Sequence, residues 1–163
     1  MRLIVKLVLP SIGALALASI VHPFGSVKVQ RSATPLMAGA EATPEVVGIL
    51  QRSCQNCHSE RTEWPWYSYV APMSWMIEND VHRARSHMNL SHWDAYPRDR
   101  QIELLTKMGV EVRNHRMPLP KYLQLHPQAR LSSGDIQQLY NWARLERQRL
   151  RSAAEPKAKP STD

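Results

Sequence analysis

Cys54-Gln55-Asn56-Cys57-His58 sets two thiols three residues apart and an imidazole directly after the second. Each thiol of such a pair can add to one vinyl group of a single porphyrin, and the histidine then falls under the iron as proximal ligand. The run therefore reads as the attachment site of one haem c, covalent through Cys54 and Cys57, with His58 on the iron. The chain has no other cysteine, so one cofactor accounts for both. Three other uses of the pair fit less well. Structural zinc wants four ligands, commonly a second pair or two spaced histidines. A thioredoxin-like dithiol sits in a βαβ context that this sequence does not offer. A disulfide closing so small a loop gains little.

Working outward from the motif, the signals are helical. Thr43-Pro44-Glu45 offers an N-cap hydroxyl, proline at the first helical position and an acid at the positive end of the dipole. Val46, Val47, Ile49 and Leu50 then lead into the motif, which closes that helix. Ser132-Ser133-Gly134-Asp135 is a capping box in which Ser132 caps and Asp135 reaches back. Behind it Ile136, Leu139, Tyr140, Ala143 and Leu150 recur at helical spacing, with Trp142 just off the stripe. Two further helices are expected over Ser74 to His87 and Asp99 to Val112. Strand signals are nearly absent, and the expected class is all-α.

The ends differ from the middle. Residues 1–21 begin with Arg2 and Lys6 and continue from Leu7 to Val21 with almost nothing polar. That pattern reads as a signal peptide, with Ala16-Leu17-Ala18 as a small-residue cleavage site, or as a retained membrane anchor. Residues 22–42 read as a linker, 43–151 as one domain around a covalently bound macrocycle, and 152–163 as a disordered tail. The net charge of +7 suggests nucleic acid, but its distribution argues against that partner. Residues 43–143 hold eleven Lys/Arg against ten Asp/Glu, so the basicity belongs to the two termini. The expected location is the periplasm, with the domain either released there or tethered to the inner membrane by residues 1–21.

The order of parts resembles the class I cytochrome c fold, in which a first helix ending in the haem motif crosses a last helix opened by a Leu-Ser-x-x-acid signature, here Leu131 to Asp135. The middle is more particular: Cys54 to Ser59, Thr62, Trp64-Pro65-Trp66-Tyr67-Ser68, Ala71-Pro72, Ser74-Trp75, Asp80-Val81, Arg85, Asn89, Ser91, Trp93, Met117-Pro118 and His126-Pro127. That pattern is similar to the bacterial haem-binding domain family of exported, cytochrome c-like proteins, over residues 43–145. One stretch departs from it: Asn114-His115-Arg116 stands where a small-residue, Gly-Glu-type turn is expected.

The resemblance implies a sixth ligand. Met117 precedes a proline in a polar loop before the last helix, where a class I cytochrome c places its thioether. The competitors are His82, His87, His92, His115 and His126, of which His115 is nearest in sequence. Trp64-Pro65-Trp66 is expected to supply the carbonyl that orients His58, Trp66 and Tyr67 to stand near the haem, and Arg85 to be solvated or paired with a propionate. The expected function is one-electron transfer between redox partners in the periplasm or membrane through a His58/Met117 haem. The alternatives are a gas or peroxide sensor or enzyme with an open distal site, and a haem subunit of a larger complex.

Overall fold

The computed structural model describes residues 2–24 and 35–153, with side chains from Lys6 onward. Among the described residues every regular element is helical, so the chain is all-α. The helices are α1 (Arg2–Ile20), α2 (Pro44–Ser53), α3 (Gln55–His58), α4 (Met73–His87), α5 (Arg98–Arg113), α6 (Pro120–Leu125) and α7 (Ser133–Ser152). Short 3-10 segments cover Trp66–Tyr69, Leu90–Ala95 and Pro127–Ala129. The expected tail beyond Ala153 and linker residues 25–34 lie outside the described residues.

The fold divides into two compact units, Met1–Ala33 with Asn56–Asn89, and Thr34–Gln55 with Leu90–Asp163. In the second, α5 and α2 pack on α7. Leu104, Leu105, Met108 and Val112 occupy one face of α5 and are buried, as the 3.6-residue repeat requires. Leu50, Leu105 and Leu139 are fully enclosed, and each such side chain contributes about 1.5–3 kcal/mol. Leu36 and Met37 fall in the stretch read as linker, yet both are buried in this unit, and the Met37 N–H donates to the Leu90 carbonyl at 2.9 Å. Trp142, which sits off the expected stripe, is buried too, because its indole N–H reaches the Glu41 carbonyl at 2.9 Å.

Both helix starts read from the sequence are present. The Thr43 hydroxyl accepts from the Val46 N–H at 3.4 Å. Ser132 Oγ accepts from the Asp135 N–H at 3.1 Å, and Asp135 Oδ2 accepts from the Ser132 N–H at 2.8 Å. The same carboxylate takes a hydrogen bond from Arg52 of α2 at 2.9 Å, so one acid caps α7 and ties α2 to it. Gly109 marks the close approach of α5 to α7: a methyl there would lie 3.4 Å from Cδ2 of the Tyr140 ring. On the next turn the Arg113 guanidinium carbon lies 4.8 Å from the centroid of that ring.

In the first unit the end of α1 is bound to the start of α4. Ser19 Oγ accepts from the Ala71 N–H at 3.0 Å, the Trp75 indole N–H donates to the Val21 carbonyl at 2.8 Å, and His22 Nδ1 lies 2.5 Å from Glu78 Oε1. Among the described residues no helix is long and apolar enough to cross a membrane. The transmembrane reading of residues 1–21 thus finds no support in the fold and rests on the sequence pattern.

Two expected outcomes test this packing. Gly109→Val would drive a branched side chain into the Tyr140 ring and lower stability by about 1–3 kcal/mol, read as a lower urea midpoint at unchanged slope. Asp135 is the pH-sensitive case. Burial raises its carboxyl, but hydrogen bonds from Ser132 and Arg52 outweigh this and hold it below the usual range. Its folded pKa is therefore depressed, and its stabilisation is complete above the unfolded value of about 3.9 and lost as pH falls through the folded one. Asp135→Asn should cost about 1 kcal/mol near neutrality, and thermal melts should show the gap from wild type closing in acid.

Candidate functional site

α2 ends at Cys54, whose N–H still reaches the Leu50 carbonyl at 2.9 Å. A single turn, α3, then carries Cys57 and His58. Both cysteines are half-buried and not joined in a disulfide. The residues after His58 fold back on α3. The Thr62 hydroxyl donates to the Asn56 carbonyl at 2.7 Å, and the Glu63 N–H donates to Asn56 Oδ1 at 3.1 Å. Arg85 of α4 closes this loop, donating through Nε to the Ser59 carbonyl at 2.9 Å and through Nη2 to Thr62 Oγ1 at 3.0 Å. Ser59 is fully buried. Half-buried Arg85 is thus a clamp on the loop and not a solvated side chain. Burial lowers its pKa, while Glu60 and Cys57 act against that.

His58 Nδ1 lies 3.0 Å from the Met88 carbonyl. A carbonyl only accepts, so this contact assigns the ring hydrogen to Nδ1 and leaves the Nε2 lone pair to a metal. Burial lowers the imidazole pKa, the Met88 and Ala84 carbonyls oppose this, and the neighbouring His87 adds to the lowering. Burial thus favours the neutral ring, the form in which an imidazole can bind a metal. The expected source of that carbonyl is Trp64-Pro65-Trp66, but Met88 supplies it instead. Pro65 O accepts from both the Ser68 N–H at 2.9 Å and the Ser68 hydroxyl at 2.5 Å, which starts the 3-10 turn Trp66–Tyr69.

Cys57, His58, Trp66 and Tyr67 lie in the unit of α1 and α4; Cys54 and Met117 lie in the other. Trp66 is 79% exposed and meets the Tyr67 ring edge-on at 5.8 Å between centroids. Tyr67 is half-buried, and burial pushes its phenol up. Met117 is half-buried in the loop between α5 and α6, with its N–H 3.3 Å from the Glu111 carbonyl. His115, exposed two residues earlier, has a φ of 53°. The Asn114-His115 pair thus makes the left-handed turn after α5 for which a small residue is the usual choice. Of the other candidates, His126 stacks on Tyr122 at 4.2 Å, and burial lowers its pKa.

The donor set fits a covalently attached haem: two cysteines not joined in a disulfide, and an imidazole with Nδ1 engaged and Nε2 left for iron. Among the described residues no three of His, Cys, Asp and Glu gather as a metal-holding group. Sequence reasoning missed the Met88 carbonyl, the Arg85 clamp and the His22–Glu78 pair. The available signal for the first two was the helix end expected near His87, because the last carbonyls of a helix have no partner of their own.

The model of a family described as a haem-binding domain matches residues 14–145. No curated protein and no solved structure matches the chain.

Arg85→Ala should remove a charged donor from the buried Ser59 carbonyl and lower stability by about 1.5–3 kcal/mol. Arg85→Lys should recover less than half of this, because one ammonium cannot span both acceptors as the guanidinium fork does. Chemical denaturation of the three proteins would measure it.

Proposed function

The chain belongs to the haem-binding domain family, and from that premise we propose that it is a one-electron carrier with a single haem c in the periplasm. The observation that carries the reading is the state of His58. Its Nδ1 is held by the Met88 carbonyl at 3.0 Å, and it directly follows two cysteines that are not joined in a disulfide.

Cys54 and Cys57 would each add Sγ–H across one vinyl group, the sulfur forming the new S–C bond and the hydrogen passing to the other vinyl carbon. His58 would bind iron through Nε2. The hydrogen bond to Met88 fixes the ring plane and makes Nε2 a better donor. The haem, when bound, supplies a one-electron ferric/ferrous couple. Met117 would hold the iron through its thioether. A neutral thioether favours the ferrous state and raises the potential relative to a second imidazole. Export through residues 1–21 would bring the thiols to the compartment where such attachment takes place, and redox proteins there or in the membrane would be the partners.

The test is the absorption spectrum of the ferric protein made in a host that matures haem c. A weak long-wavelength sulfur-to-iron band, lost with a fall in potential in Met117→Ala, is the expected result. A low-spin spectrum lacking the band would hand the position to a histidine, with His115→Ala as the variant that identifies it. A high-spin spectrum would overturn the electron carrier in favour of an open site, and haem removable by acid-acetone would overturn covalent attachment.

A further inference from the structure

One part of the first unit is left unused by haem chemistry. From Leu7 to Ile20, α1 is apolar on every side. At 100° per residue, exposed Leu7, Val8, Leu9, Ile12, Leu17 and Ile20 are spread around the whole circumference. A helix that uses one face against a protein shows a stripe; one that is apolar all round needs an apolar medium all round. The serines of this stretch agree. Ser11 Oγ donates to the Leu7 carbonyl and Ser19 Oγ to the Leu15 carbonyl, each at 2.8 Å. Both hydroxyls are therefore satisfied inside the helix, as hydroxyls must be where no water is available.

The end of this helix is fixed, and what stands beside it is aromatic. Through Ser19 and Val21 it is hydrogen-bonded to Ala71 and Trp75. Ala71 directly follows the turn that exposes Trp66 (79%), Tyr69 (62%) and Val70. Trp and Tyr are the side chains that favour the boundary between hydrocarbon and water, where the ring is buried and the N–H or O–H stays wet. The turn has no basic cluster of its own, so charge is not the attraction.

We propose that this unit is a lipid-binding surface: α1 enters a bilayer, and the turn Trp66–Tyr69 rests in its headgroup layer with Trp66 and Tyr69 as the interfacial contacts. The occupant is lipid and not a second copy, because a second helix would cover one side of α1 only. Trp66 is accordingly a membrane contact and not part of a haem wall. The contact does not require α1 to span, and it is independent of the haem ligands.

The experiment uses the full, haem-loaded chain with vesicles of phosphatidylethanolamine and phosphatidylglycerol. A photoreactive benzoylphenylalanine is placed at position 66 or 69, or at exposed Leu145 of the other unit as control. Phospholipid adducts at 66 and 69, absent at 145 and unchanged in high salt, are expected. Adducts to a second copy or to the haem, or none above the control, would overturn the proposal. Hydroxyl-radical footprinting of the unsubstituted chain gives a second readout. Trp66 and Tyr69 should be modified without vesicles and protected with them, and protection already present before lipid is added would refute it.

Discussion

An imidazole withdrawn from water can ligate a metal through one nitrogen only if the other finds a partner, and here that partner is the Met88 carbonyl. Met88 is the C-cap of α4, with extended backbone angles that turn its carbonyl out of the helical ladder. Carbonyls at a helix end lack partners and sit at the negative pole of the dipole, where an N–H donor is welcome. The last turn of α4 also carries Arg85, which holds the loop following His58. The orientation of His58 and the shape of the loop therefore depend on where one helix stops.

The second unit solves a comparable problem with one carboxylate. Asp135 closes the capping box of α7 and receives Arg52 from the last turn of α2, the helix that ends at Cys54. A bond between exposed ions is worth little by itself. Here the acid is already fixed by Ser132, so Arg52 meets an ordered acceptor and less side-chain entropy is lost. Glu146, buried on α7, is handled in the same way, held by Arg149 through both oxygens at 2.7 and 2.5 Å. The Arg-rich end of α7 thus includes an arginine bound to a buried acid.

What was legible in the sequence was what is local. Thr43-Pro44 and Ser132-x-x-Asp135 declare helix starts because cap and capped group lie within four residues of each other. The expected helices Ser74–His87 and Asp99–Val112 fall within a residue of α4 and α5. The motif was legible because thiol and imidazole chemistry is written in side chains. The Met88 carbonyl was not, since every residue carries one and only the point where α4 ends makes it available. Leu36 and Met37 were lost to a linker because proline and glycine nearby signal a turn, whereas the two apolar side chains decide the burial. The short α6, starting at Pro120, is too brief for periodicity to show.

The run Trp64-Pro65-Trp66-Tyr67-Ser68 shows how one short turn gives neighbouring aromatic rings different surroundings. A dense aromatic cluster next to a haem motif invites the reading of a wall. Yet Pro65 commits its carbonyl to Ser68, and the 3-10 turn that results separates the fates of neighbouring rings. Tyr67 stays half-buried, while Trp66 and Tyr69 are left exposed. Indole and phenol in that state have a natural medium, the wet edge of a hydrocarbon layer. The helix tied to the same unit through Ser19 and Val21 is apolar on every side, with its hydroxyls turned inward. In the lipid-binding proposal the two act together, the helix in hydrocarbon and the exposed rings at its wet edge.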